Sequence, residues 1–420
     1  MAHVEDRWWR TGKDANGKAV RVKTELFGKG LRYRARYIDP SGRERSKSFP
    51  DRQRKAAEDF VSDVEGAKRR GSYVDPDAGR VTFKAYAEQW LSHATMDEST
   101  RETVDSRLRN HLLPFFGSRQ LLAIKPAHMR EWNKRLSVNY AVGTRAVSFA
   151  VLHAILSAAV DDGLIPTNPC AAKSVTAPRQ VQREVIPWTA DRVRAVRAGL
   201  TERYQATVDV GAGCGLRQGE IFGVGVADID ADGGWLHVRQ QVKRVRGRLV
   251  FGLPKNDKER KVPLPGRVAE SLAVHMRQYP PVKVTLPWED PDSDRMVTVE
   301  LVFTNDRRGA ITRCTFDAKH WQRALRRAGV AQARENGIHA LRHFYASALL
   351  DAGESIKAVS RYLGHSNPAF TLRVYTHLMP GGEDRARRAI DGLLGPVENR
   401  ERPGDGLEGS ESDERPGEDR

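Results

Sequence analysis

Residues 338–377 read IHALRHFYASALLDAGESIKAVSRYLGHSNPAFTLRVYTH and hold His339, Arg342, His343, His365, Tyr375 and His377 within forty positions. Leu341, Phe344, Tyr345, Ala348 and Leu349 recur at helical spacing, which predicts a helix over 340–350 with Gly353 at its stop. Ser355 is placed to cap a second helix carrying Ile356, Val359 and Leu363, ended by Gly364 just before His365. Asn367-Pro368 breaks the chain, and a third helical segment brings Tyr375 round. Cationic and imidazole groups therefore fall at helix ends and in turns, where they can converge, and a phenol follows ten residues after His365.

Upstream, residues 213–220 read GCGLRQGE, a glycine-rich turn that projects Arg217. Trp235 to Val242 and Leu249 to Leu253 alternate as strands around Arg246-Gly247, and Arg260 to Leu264 returns as a third. Pro254-Lys255-Asn256-Asp257 is a turn that sets Lys255 on a mobile arm, with Lys258 close by. Residues 282–299, with Asp290-Pro291-Asp292, read as an exposed insertion.

Two arginines, a lysine, several histidines and a tyrosine suit one chemistry well. Guanidinium forks match phosphate oxygens and stay charged at any working pH. A pair of them can neutralise the charge that builds up in phosphoryl transfer. A tyrosine phenolate can attack phosphorus and form a covalent phosphotyrosine, while a lysine or histidine protonates the displaced sugar oxygen. Such an intermediate conserves the phosphodiester energy, so strands can be rejoined without ATP or metal. The sequence holds no Walker-type loop and no dense acidic cluster, and a cofactor is not expected. His339 and His343 have the i, i+4 spacing of a metal pair, but no third ligand accompanies them.

The order of these segments resembles the tyrosine recombinase (phage integrase) family. Gly215-Leu-Arg217-Gln-Gly-Glu220 is similar to its first-arginine box, and Lys255 with the Arg260-Lys-Val-Pro-Leu264 strand to its lysine hairpin. His339-Ala-Leu-Arg342-His343, Leu363-Gly-His365-Ser and Tyr375-Thr-His377 are similar to the next three boxes. The resemblance implies that Arg217 and Arg342 clamp the scissile phosphate and that His365 hydrogen-bonds it. It further implies that Lys255, or Lys258 on the same hairpin, protonates the leaving 5′ oxygen, that His339 handles the nucleophile's proton, and that Tyr375 is the nucleophile. Glu220 resembles an acidic residue that orients its neighbours. Ala340 stands where the family often has Asp.

Two further units precede this one. Residues 1–78 read as a small α+β module. Arg32, Arg34 and Arg36 alternate with Tyr33, Ala35 and Tyr37, Val20 to Phe27 offers another strand, and Asp51 caps a helix to about Arg70. The three arginines, with no acid between them, form a candidate DNA-binding face; a solvated charged surface is the plainer alternative. Residues 80–178 are helical throughout, with caps expected at Thr82 and Ser99 and a helix start at Pro126, and should form a four-helix bundle. By resemblance, 1–78 is an arm-type DNA-binding domain, 80–178 a helical, SAM-like core-binding domain, and 184–394 a mainly α catalytic domain with a small antiparallel sheet. Residues 380–394 form a short amphipathic helix for docking on a neighbouring protomer or on their own domain, and 395–420 an acidic disordered tail.

The charge agrees with a polyanionic partner. The chain carries +16; the tail from Pro396 nets −5, leaving +21 on residues 1–395. A length of 420 residues calls for two or three domains, and 39% hydrophobic residues can fill their cores. Cys170, Cys214 and Cys314 fit neither a disulfide framework nor a zinc spacing. The most apolar run, Val147 to Val160, is shorter than a bilayer span, and the N-terminus lacks a signal-peptide core, so a cytoplasmic protein of a bacterial host is expected. The expectation is a site-specific recombinase that integrates and excises a mobile element. Its partners would be duplex DNA at core and arm sites, a homotetramer on that DNA, and an excision factor or host DNA-bending protein. A type IB topoisomerase, a Xer-like dimer-resolving recombinase and a non-catalytic DNA-binding regulator are the alternatives.

Overall fold

A computed structural model describes residues 2–13, 17–40, 42–69, 73, 78–179, 185–255 and 259–375, with the single positions 387, 390, 391 and 393. Lys258, His377, most of the segment 380–394 and all of 395–420 lie outside the described residues.

The first unit contains strands β1 (His3–Asp6), β2 (Trp9–Lys13), β3 (Ala19–Lys23), β4 (Tyr33–Ile38) and β5 (Glu44–Phe49), then helix α1 (Arg54–Arg69). An antiparallel sheet runs in the order β1-β4-β5, and its Tyr33, Ala35 and Phe49 pack with Ala57 of α1. The third strand is thus His3–Asp6, not the expected Val20–Phe27. Register explains the choice, because Val4 opposite Ala35 reaches the core, whereas every residue of β3 is exposed. β3 pairs with β2 in a separate ribbon on which Trp9 and Phe27 meet edge to face.

The arginine face also departs from expectation. Arg32 is held between Asp6 and Asp51, each at 2.9 Å, and Arg36 between Glu5 at 3.0 Å and Glu44 at 2.8 Å. The acids missing between the arginines along β4 arrive from β1, β5 and the turn beyond it. Arg34 has a buried Nε with no hydrogen-bond partner.

The second unit comprises α2 (Phe83–His93), α3 (Glu98–Arg107), a π turn at Leu108–Leu112, α4 (Leu113–Phe116), α5 (Pro126–Asn139) and α6 (Val142–Asp161) around one core. Thr82 caps α2 by accepting from the Ala85 N–H; α3 is capped by Asp97 rather than Ser99. α6 is, at twenty residues, long and apolar enough to cross a bilayer, which the shorter run seen in sequence did not indicate. Its Phe149, Leu152, Ile155 and Leu156 are buried in the bundle core.

The third unit begins with α7 (Ala190–Gly199), α8 (Glu202–Cys214) and α9 (Gln218–Phe222). Strands β6 (Ile229–Asp230), β7 (Trp235–Val238), β8 (Gln241–Val245), β9 (Arg248–Gly252) and β10 (Arg260–Pro263) follow. After α10 (Gly266–Gln278) come β11 (Val282–Pro287), β12 (Met296–Leu301), α11 (Arg313–Phe316), α12 (Gln322–Arg327), α13 (His339–Asp351), α14 (Ile356–Leu363) and α15 (Pro368–Tyr375). The expected strand 235–242 is two, since β7 pairs with β10 while β8 turns away to pair with β9. Arg246-Gly247 makes that β8–β9 turn with φ of +46° and +81°, the signs of a type I′ hairpin. Lys255, itself exposed, therefore follows β9, whose strand partner is β8 and not β10. The expected insertion at 282–299 is the β11–β12 hairpin, bridged to the domain at Gly225–Leu301 and Phe251–Trp288.

Candidate active site

Two glycine-ended helices and the start of a third build the site. α8 ends at Gly215, whose φ of +66° favours glycine and whose added Cβ would lie 2.3 Å from the Tyr345 ring. α14 ends the same way at Gly364, with φ +62°. α13 starts at His339, so Arg342 stands in its first turn, beneath both of these helix ends.

A helix C-terminus leaves carbonyls without partners, and here arginines take them. Arg342, 1% exposed, donates to the Gly215 carbonyl at 2.8 Å and to the Leu363 carbonyl. Arg217 donates to the Gly364 carbonyl at 3.3 Å, and Arg260 to the Tyr362 carbonyl at 2.8 Å. Three arginines from three distant parts of the chain thus plug one end of α14. Glu220 ties two of them together: it accepts from Arg217 at 2.8 Å and from Arg260 at 3.0 and 2.5 Å. Burial works to raise the Glu220 pKa, but the hydrogen bonds and charge of Arg260, then the charges of Arg217 and Arg342, hold it down at about 2. Burial, and then Arg217, lower the proton affinity of Arg342, with Glu220 opposing; a guanidinium remains cationic at working pH nonetheless. Three fixed cations against one carboxylate leave an excess of two positive charges in a largely solvent-poor site, which suits an anion. A cleft of about 500 Å³ adjoins it, lined by Arg260, Lys357, Arg361 and His365 among others.

The second half of the site is the tyrosine. Tyr375 is 2% exposed, and its hydroxyl lies 2.7 Å from His343 Nδ1. Burial pushes its pKa up to about 12, with Arg342 pulling the other way. Burial also pushes the imidazoles down. His343 falls to about 4, helped by Arg342; His339 to about 3, helped by His343, Arg342 and Arg217; His365 to about 3, helped by Arg342 and Arg217. All three are neutral near pH 7. His365 is oriented by the Thr371 hydroxyl, 2.7 Å from its Nδ1. No cluster of metal-ligating side chains occurs among the described residues.

The structure therefore brings Arg217, Glu220, Arg342, His339, His365 and Tyr375 to one place. Lys255 is exposed and makes no hydrogen bond or ion pair with another described residue. Arg32, Arg34 and Arg36 belong to the first unit and take no part in this site. Two site residues were not singled out as such from sequence. Arg260 appeared only as part of a strand; a basic residue opening a strand offers no signal of a buried carboxylate partner. His343 appeared only as a possible metal-pair member, yet it, rather than His339, is the hydrogen-bond partner of Tyr375.

With this geometry in view, the relatives are informative. The Phage integrase family profile matches residues 190–381, and that of the phage integrase N-terminal SAM-like domain matches 82–137. The chain belongs to the phage integrase family of tyrosine recombinases. A Mycobacterium tuberculosis (strain H37Rv) relative provisionally named prophage phiRv2 integrase is 28% identical over 93% of this chain and 99% of its own. A "Tyrosine recombinase XerC-like" protein of Caldanaerobacter subterraneus is 26% identical over 92% and 99%. Among solved structures, the Tn1549 transposon integrase bound to transposon right end DNA matches with a TM-score of 0.59 at 20% identity, covering 75% of this chain and all of that one. At that identity the match speaks for the integrase fold.

Proposed function

We propose that this integrase cuts and rejoins DNA at a defined site through a covalent 3′-phosphotyrosine, integrating and excising a mobile element. The observation that carries the reading is the convergence of Arg217, Arg260 and Arg342 on the carbonyls that end α14, with the charge of Arg342 felt by Tyr375. A phosphodiester supplies the anion this cluster lacks. Arg217 and Arg342 would bind its non-bridging oxygens, His365 would donate a further hydrogen bond, and Tyr375 Oη would attack phosphorus. Departure of the 5′ oxygen needs a proton, and Lys255 is the reading's donor. Its exposed position means that it must swing onto the phosphate when DNA is present. The helical unit would close the other side of the duplex. It already meets the catalytic unit where the Arg246 N–H donates to Glu102 of α3 at 3.4 Å. Assembly as a tetramer on core sites and binding of arm sites by residues 1–78 belong to the same reading. The +21 body favours the DNA contacts of this reading.

The test is a nicked suicide duplex carrying the core sequence recovered from DNA flanking the gene. Wild-type protein should form a covalent adduct, and Tyr375→Phe should form none while still binding the duplex. An adduct that persists in Tyr375→Phe would remove Tyr375 as nucleophile.

A further inference from the structure

The resemblance assigns the nucleophile's proton to His339, but the structure joins Tyr375 to a different residue. We propose that His343 is the catalytic proton acceptor for Tyr375, an inference that rests on the recombinase reading above. The Nδ1–Oη distance of 2.7 Å lies within the usual range for hydrogen-bonded proton transfer. His339 contacts the His343 ring edge to face at 4.7 Å instead, one turn back on α13, and sits nearer the arginine cluster by the charges it feels.

The surroundings keep this acceptor available. His343 faces His339 and Arg342 from its own helix and Tyr375 from α15. The side of α8 packed on α13 presents Gly211 to Leu341 and the buried thiol of Cys214 to Tyr345. No carboxylate is among these groups, and the nearby cation disfavours imidazolium, so the ring is an unprotonated base at neutral pH. In the step itself the Oη–P bond forms and the P–O5′ bond breaks. The phenolic proton passes to Nδ1, and the departing 5′ oxygen takes a proton from the general acid, Lys255. Religation runs the same transfers backwards, so the imidazolium formed beside Arg342 lives only as long as the covalent intermediate.

A substituted side chain that keeps the hydrogen bond but cannot titrate isolates the role. In His343→Asn the amide oxygen can still accept from Tyr375, so folding and duplex binding should hold, as checked by melting and by gel shift. Adduct formation on the suicide duplex should fall about a hundredfold at pH 7, the lower end of what a positioned base supplies. The rate of the variant should then climb roughly tenfold per pH unit towards pH 9, as hydroxide replaces the lost base, whereas the wild type stays flat from pH 6 to 9. A wild-type rate in His343→Asn, or an equal loss at every pH, would overturn the proposal. A faster rate would overturn it too, and would make the contact a lock on the tyrosine. Adduct from the variant at pH 9 keeps the recombinase reading intact whichever way the pH 7 result falls; no adduct from wild-type protein would sink that reading, and the proposal with it.

Discussion

Arg260 grips both carboxylate oxygens of Glu220, at 3.0 and 2.5 Å, in a pair whose side chains are 5% and 0% exposed. The pair joins β10 to α9, and the same guanidinium reaches the Tyr362 carbonyl at the end of α14. One ion pair thus fixes β10, α9 and the end of α14 relative to one another, and with them Arg217, which shares the same carboxylate.

Removing the carboxylate leaves three cations in a buried site. Glu220→Gln is expected to cost about 3–5 kcal/mol of stability, the usual result of stripping one partner from a buried pair. A melting or urea titration measures it; a loss under about 1 kcal/mol would show the arginines to be well solvated.

Acid should weaken the catalytic unit in two stages. The folded values of His339, His343 and His365, about 3 to 4, lie below the ordinary 6.5, so the unfolded chain takes up protons first. The stability these residues confer is full above 6.5 and declines as the pH falls towards 3. Glu220 follows the same sign from 4.5 down to about 2. Melting temperature should therefore drop steadily below pH 6.5. A flat profile from pH 7 to 4 would contradict the burial of these groups.

Arg260→Lys keeps the charge but not the fork. A lysine cannot hold both Glu220 oxygens and the Tyr362 carbonyl with one planar group. Single-turnover adduct formation is expected to slow by at least about tenfold, since Arg217 shares Glu220 and would shift with it. An unchanged rate would mean that only the charge matters at this position.

In the first unit, the ion pair of Arg32 with Asp6 is partly buried and shared with Asp51. A double-mutant cycle through Arg32→Ala and Asp6→Ala should give a coupling of about 0.5–1 kcal/mol, at the upper end for surface pairs. Zero coupling would return Arg32 to the solvent and to the role of a free DNA contact.

The linear chain determined much of this protein because several signals are local. Cap and stop residues such as Thr82, Ser355 and Gly364 act on the next few residues, so helices of the second and third units could be read before any contact was known. The residue types suited phosphoryl transfer, and the order of their segments carried the resemblance to the tyrosine recombinases. What lay beyond reach was pairing between distant residues. The β4 arginines appear free of acids along their own strand, but antiparallel pairing brings Glu5, Asp6 and Glu44 alongside. Likewise, His339 and His343 are equivalent by spacing, and only the packing of α15 against α13 gives Tyr375 to His343. Arg260 becomes part of the site because α14 ends beside β10 and offers its last carbonyls there. Hydrogen bonding and desolvation operate through space, so the identity of the reactive groups was written in the chain, while their partners and proton affinities were decided by the tertiary fold.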